Sequence, residues 1–210
     1  MKATVDHLVY ACPDLDAAVT EIERTTGVRA AAGGHHLGLG THNALLALGE
    51  RTYLEIIAPD PAQHGTVPPR PFGLDDLAVP GLRGWAAAPA DLDAAVLDAR
   101  AAGYDYGDVV GRRRRTPEGG ELSWRMTSSS ASAATGVLPF LIDWQGSAHP
   151  APGAPAGLLL EEFRLFAPDP EFVGARLRAL GLDLPVEHAA QPALRAILTG
   201  AGGSRVVLDS

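Results

Sequence analysis

Two polar side chains interrupt otherwise apolar strands near the start of the chain: His7 within TVDHLVYAC (residues 4–12) and Glu55 within YLEIIA (53–58). A histidine or a carboxylate among apolar neighbours is costly to bury unless it is paired or bound. An imidazole nitrogen and a carboxylate oxygen are good ligands for a divalent ion such as Zn, Ni, Mn or Fe. Read alone, His7 also fits a hydrogen-bonded core histidine and Glu55 a carboxylate on a solvated strand face. Alternation places Glu55 with Tyr53 and Ile57, away from Leu54 and Ile56.

Three more histidines, His35, His36 and His42, crowd the glycine-rich string GGHHLGLGTHN (33–43), which is expected to be a loop; together they could bind metal or position an oxyanion, the other reading being exposed loop histidines. His36 lies where the end of a second strand can bring it toward the cleft of His7 and Glu55, as a ligand or a proton carrier. Thr41 and Asn43 are suited to fixing that loop through side-chain hydrogen bonds, and Asn43 is also a candidate substrate contact. Arg112 to Arg115 are four consecutive cations. On a strand they alternate, so at most two face a cleft, where they could hold a carboxylate or phosphate; the other reading is an edge strand guarded by charge. Arg113 is assigned to the cleft. Trp85, Trp124, Phe140 and Trp144 read as core or as wall for an apolar small molecule, and Trp85 is assigned to substrate contact.

The elements that position these residues recur. DLDAAV occurs at 14–19 and again at 91–96, with a weaker copy, APDPEFV, from Ala167; the spacing is about 77 residues, as expected of a duplicated fold unit. Each copy caps a helix-like run that follows a strand and precedes three more β-like runs, giving β-α-β-β-β three times. The expected class is α+β, with a first module over 1–60, a linker over 61–81, a second module over 82–147 and a third βαβββ-like module over 158–210, packed as one unit. The first module's later strands are expected over Val28–Ala32, Asn43–Leu48 and Tyr53–Ala58. Ser128–Ser132 reads as a loop, and 148–157 as a connector without chemistry.

A chain of 210 residues, 46% hydrophobic and 20% charged, can bury a sizeable core. Its formal charge of −8 disfavours nucleic acid and anionic membranes as partners. The single cysteine, Cys12, reads as a small buried hydrophobe, consistent with a cytoplasmic protein. No stretch has the apolar length of a membrane span.

A module that opens on Asp6-His7 and closes on Tyr53-Leu54-Glu55-Ile56-Ile57, together with HLGLGTHN (36–43), LLALGERTYLEIIAPDP (45–61) and LPFLIDW (138–144), resembles the glyoxalase-like domain family of the vicinal oxygen chelate superfamily over roughly residues 5–180. The resemblance implies paired modules whose curved mixed sheets surround a cleft, with helices outside. It often implies a divalent metal held by a first-strand histidine and a last-strand glutamate, here His7 and Glu55, with His36 as a third ligand. Superfamily activities range over lyases, isomerases, dioxygenases and metal-free binding proteins. The implied function is action on a small carbonyl- or hydroxyl-bearing metabolite with a divalent metal, with Glu55 and His36 catalytic; the alternative is a metal-free small-molecule binding or resistance protein. A small molecule is the expected partner, and a homodimer is compatible with the superfamily. The repeat offset puts Gly84 at the second module's His7 position, where no ligand is available, and Asp143 near its Glu55 position. A pairing of modules one and three would instead assemble His7, Glu55, Glu162 and Asp209.

Overall fold

The computed structural model describes residues 2–63, 65, 69–116, 119–128, 137–200 and 202–210. Parts of the expected linker (64 and 66–68) and most of the expected Ser128–Ser132 loop (129–132) lie outside the described residues. The first βαβββ run comprises β1 (Thr4–Ala11), α1 (Leu15–Thr26), β2 (Ala31–His36), β3 (Thr41–Ala47) and β4 (Tyr53–Pro59). The second comprises β5 (Gly81–Ala88), α2 (Leu92–Ala101), β6 (Val109–Arg115), β7 (Glu121–Thr127) and β8 (Phe140–Asp143). The third comprises β9 (Leu158–Ala167), α3 (Pro170–Ala179), β10 (Val186–His188), β11 (Ala193–Gly200) and β12 (Arg205–Asp209).

Each helix begins at an aspartate whose carboxylate accepts a backbone N–H three residues on: Asp14 from Ala17, Asp91 from Ala94 and Asp169 from Phe172, all at 2.9 Å. A cap of this kind is worth about 1 kcal/mol, and it is the physical content of the DLDAAV repeat.

The first two runs close into one barrel, in the order β1-β4-β3-β2-β6-β7-β8-β5. In each run the first strand pairs in parallel with the fourth, β1 with β4 and β5 with β8. Antiparallel pairing of β1 with β5 makes one seam. The other, β2 with β6, rests on two register pairs, His35 opposite Arg115 and His36 opposite Arg114. The third run keeps the element order but not the pairing: its sheet is β10-β9-β11-β12, with the first strand between the second and third. It packs on the outside of β5, where Phe163 meets Trp85 edge-on at 5.3 Å between ring centroids. Modules one and three therefore do not face each other across a cleft. Glu162 pairs with Arg164 and Asp209 with Arg195, and neither approaches His7.

The barrel pairing also corrects the repeat offset. His7 stands opposite Tyr53 as Ala86 stands opposite Phe140, and His7 and Ala86 face each other across the β1–β5 seam. Ala86 is thus the second module's counterpart of His7, and Ile142, two residues past Phe140, that of Glu55. Neither is a ligand, and Asp143 instead accepts the Gln145 N–H outside the cavity wall.

The glycine-rich string is a hairpin rather than a loop. β2 runs on through His35 and His36, and only residues 37–40 turn. Glycine makes this possible where neighbours come close: a Cβ on Gly33 would stand 2.2 Å from Asn43 Oδ1.

The main apolar core lies between the outer faces of the barrel strands, the helices and the third sheet, and a smaller cluster including Val9, Trp124, Phe140 and Ile142 lies inside the barrel. The segment before β5 folds over the barrel's interior, burying Leu74 and setting Phe72 against Gly84. No helix of the described residues is long and apolar enough to cross a membrane.

Candidate functional site

Inside the barrel is a cavity of about 730 Å³, within the range of small-molecule sites. Strand alternation turns His7, Tyr53, Glu55, Asn43 and His36 toward it from four adjacent strands. The parallel β1–β4 register sets Glu55 beside Val9, two residues along from His7 beside Tyr53, and the antiparallel β3–β4 register brings Asn43 beside Ile57.

Glu55 is the centre of this group. Its Oε1 accepts the Asn43 amide N–H at 2.6 Å and lies 3.6 Å from His36 Nε2, while Oε2 lies 3.7 Å from His7 Nε2. Both imidazoles are held from behind. His36 Nδ1 is 2.9 Å from Thr41 Oγ1, and His7 Nδ1 is 2.7 Å from Asp6 Oδ1. Asp6 can reach sideways to its neighbour because β1 is irregular there: Val5 pairs with Ala87 and His7 with Ala86, leaving Asp6 as the extra residue. Such bulges re-aim side chains. The other Asp6 oxygen accepts the Trp144 indole N–H and meets His149 Nε2, each at 3.1 Å. The His7 ring stacks on Tyr53 at 4.6 Å.

These contacts fix charge as well as position. Burial opposes ionisation of Asp6, but hydrogen bonds from His149 and His7 outweigh it and hold the carboxyl well below its usual range. Burial pushes His36 toward its neutral form, against the pull of Glu55 and with help from Arg114. Burial, reinforced by Asp6 and Glu55, keeps Tyr53 a neutral phenol.

The arginine run alternates as expected, with the opposite phase to the one assigned. Arg114 is 5% exposed, lines the cavity and stands opposite His36, whereas Arg113 points outward toward Glu121 at 3.8 Å. Arg112 is the other member that lines the cavity. Trp85 borders the cavity, but its ring packs against Phe163 and its indole N–H donates to the Val137 carbonyl at 2.7 Å, so it belongs to the core. His35 and His42 lie on the opposite strand faces, with Asp60. Asp6, His149 and the Trp144 indole are not among the sequence candidates for the site; the Asp-His doublet is the one signal the sequence carries, and His149 lies in the 148–157 connector, which shows no chemistry in sequence.

Two imidazoles and a carboxylate, with both Nδ1 atoms tied behind, make a donor set suited in kind and orientation to a borderline divalent ion with open positions. Asn43 Oδ1, beside them, is buried without a hydrogen-bond partner. In spacing the set is wide. Among the described residues, the His/Cys/Asp/Glu group whose ligand atoms all lie within 4.8 Å of one another is His35, His42 and Asp60, not His7, His36 and Glu55.

A barrel of paired βαβββ runs with a polar cluster on its inner wall is the architecture of the vicinal oxygen chelate superfamily. Residues 5–181 match the family model described as a glyoxalase-like domain, and the chain belongs to that family. A hypothetical protein from Staphylococcus aureus superposes with a TM-score of 0.62 at 16% identity, over 99% of this chain and 85% of that one. A 4-hydroxymandelate synthase variant from Streptomyces coelicolor gives 0.54 at 13% identity, over 99% and 62%. A Streptomyces coelicolor methylmalonyl-CoA epimerase in complex with 2-nitronate-propionyl-CoA gives 0.48 at 23% identity, over 71% and 100%. No curated protein matches the chain.

Proposed function

We propose that the barrel cavity is the active site of an enzyme of lyase or isomerase type, acting on a small carbonyl- or hydroxyl-bearing metabolite that also carries an acidic group. The observation that supports this most is the Glu55 carboxylate set between two imidazole Nε2 atoms, at 3.6 and 3.7 Å, on the wall of an otherwise largely apolar cavity. Glu55 is the proton acceptor, and Asn43 orients it. His36, with Nδ1 fixed by Thr41, presents Nε2 to the cavity, as a ligand where an ion is bound and as a proton carrier where none is. The Arg114 guanidinium receives the substrate's acidic group, and Phe140 and Trp124 cover its apolar part. His7, His36 and Glu55 are the residues that would hold a divalent ion, which supplies polarisation of a substrate oxygen.

Elemental analysis of protein purified without added metal tests the metal. His7→Ala is expected to carry about one divalent ion per chain fewer than the wild type; equal metal content in the two proteins rejects it. A metal-free binding role is favoured by one feature, Ala86 and Ile142 where a second pair of ligands would stand. In that case small carboxylates stabilise the protein against heat equally with and without chelator.

A further inference from the structure

On the outer side of the strands that carry His36 and Asn43 lies a second group of ligands. We propose that His35, His42 and Asp60 form a divalent transition-metal site, separate from the cavity, that clamps β2, β3 and the end of β4 together.

The trio is built by register. His35 and His42 are direct cross-strand partners on β2 and β3, with rings near parallel (21°) and centroids 6.0 Å apart. His42 stands opposite Ala58 on β4, and Asp60 lies two residues further along the chain. One ligand atom from each residue falls within 4.8 Å of the other two. Ligands from two neighbouring strands and from the residue that follows a third are thus gathered by the sheet register.

Asp60 has the setting of a ligand rather than of a surface carboxylate. Its side chain is 0% exposed, while that of His35, 2.6 Å from it, is 51% exposed, so the acid lies beneath an open imidazole. Behind it, Oδ1 accepts the Ala62 N–H at 2.9 Å, and Oδ2 accepts the Gln63 amide at 2.8 Å. Oriented carboxylates of this kind, hydrogen-bonded from the rear, are typical of metal ligands.

The surroundings admit a cation. His42 and Asp60 border a cleft of about 580 Å³ that Asp14 and Asp16, at the start of α1, also line. Arg70 is the cation that also borders it, and its guanidinium is engaged by Asp75 and by the Gly40 carbonyl. Two imidazoles with one carboxylate select zinc, nickel, cobalt or copper over magnesium or calcium. Since His36, Thr41 and Asn43 sit on the opposite faces of the same two strands, a bound ion also holds the hairpin that orients them.

The test is equilibrium dialysis of metal-stripped full-length protein against Zn²⁺, with His35→Ala, His42→Ala and His7→Ala in parallel. Both outward histidines are partly or largely accessible, so these variants are expected to fold, which near-UV circular dichroism checks. His35→Ala and His42→Ala are each expected to lose one zinc equivalent per chain, or to bind it at least tenfold more weakly, and to lose the zinc-induced rise in Tm. His7→Ala is expected to retain that equivalent. If the cavity binds no metal, the wild type takes up a single equivalent that His42→Ala removes and His7→Ala does not, so failure of the cavity reading leaves this site standing. Unchanged zinc stoichiometry and affinity in both His35→Ala and His42→Ala overturns it, and leaves the His35–Asp60 contact as a closed ion pair.

Discussion

Asp6 holds His7 at 2.7 Å with one oxygen and, with the other, the indole of Trp144 and the imidazole of His149 from the chain just past β8. One buried carboxylate thereby orients a cavity histidine and ties the first barrel strand to the chain 143 residues away. Asp6→Asn leaves three donors around a group that no longer carries charge, and is expected to cost about 3–5 kcal/mol in urea unfolding. The pH dependence follows from the depressed carboxyl. Stability from Asp6 is fully present above the unfolded pKa of about 4 and is lost as pH falls below it toward the folded value. Asp60, brought down to about 2, acts in the same window. Wild-type stability is therefore expected to drop below about pH 4 and the drop to be shallower in Asp6→Asn, with the remaining slope shared by Asp60 and the exposed carboxylates held down by hydrogen bonds, such as Asp75, Asp93 and Glu161.

Gly33 leaves the space that Asn43 occupies. A Cβ there would meet Asn43 Oδ1 at 2.2 Å, and the same amide donates to Glu55. Gly33→Ala is expected to displace the amide, strip the buried carboxylate of its shortest hydrogen bond and lower stability by about 1–3 kcal/mol. Urea unfolding measures this, and a larger loss than in Gly38→Ala, whose Cβ meets open space, separates it from a backbone effect.

His7 and Glu55 were legible because each breaks an apolar run, and a charged or polar group that is costly to bury stands out in one dimension. Their meeting needed only the β-α-β-β-β order and alternation. Other features were not written locally. Four identical arginines carry no phase; pairing of β6 with β2 and β7 decides that Arg114 faces in and Arg113 out. Trp85 sits in a strand buried on both sides, so its aromatic character does not say which side. The third run repeats the order of elements while pairing β9 between β10 and β11, a choice made by what the sheet covers. The Asp6 contact depends on a bulge that exists only when β5 is paired.

The phase of the arginine run can be measured directly. Arg113 is exposed and loosely paired with Glu121, so Arg113→Ala is expected to change stability by no more than about 0.5 kcal/mol and to leave ligand binding unchanged. Arg114→Ala is expected to weaken a carboxylate-bearing ligand found by thermal-shift screening by about tenfold to a hundredfold, the loss of one charge-assisted contact of about 1.5–3 kcal/mol. Equal effects of the two substitutions would reject Arg114 as the anion-binding residue.

Of the two seams between the barrel modules, β2–β6 is the narrow one, and Gly34 sits in it. Its φ of +145° and the 1.8 Å that would separate a Cβ from the Arg115 carbonyl oxygen leave no room for a side chain where β2 meets β6. Gly38, in the adjoining turn, has φ +79° and open space around it, so Gly38→Ala is expected to cost only the left-handed backbone penalty, about 1–2 kcal/mol. Gly34→Ala adds the steric term to the strain and is expected to cost more than Gly38→Ala, at least about 2 kcal/mol. Because the seam has just two register pairs, the loss should concentrate there. Amide exchange is expected to quicken in β2 and β6 while β9 and β11, in the separate sheet, stay protected. Uniform loss of protection across both sheets would mean that the barrel and the third run unfold as one unit, and that the seam has no separate weakness.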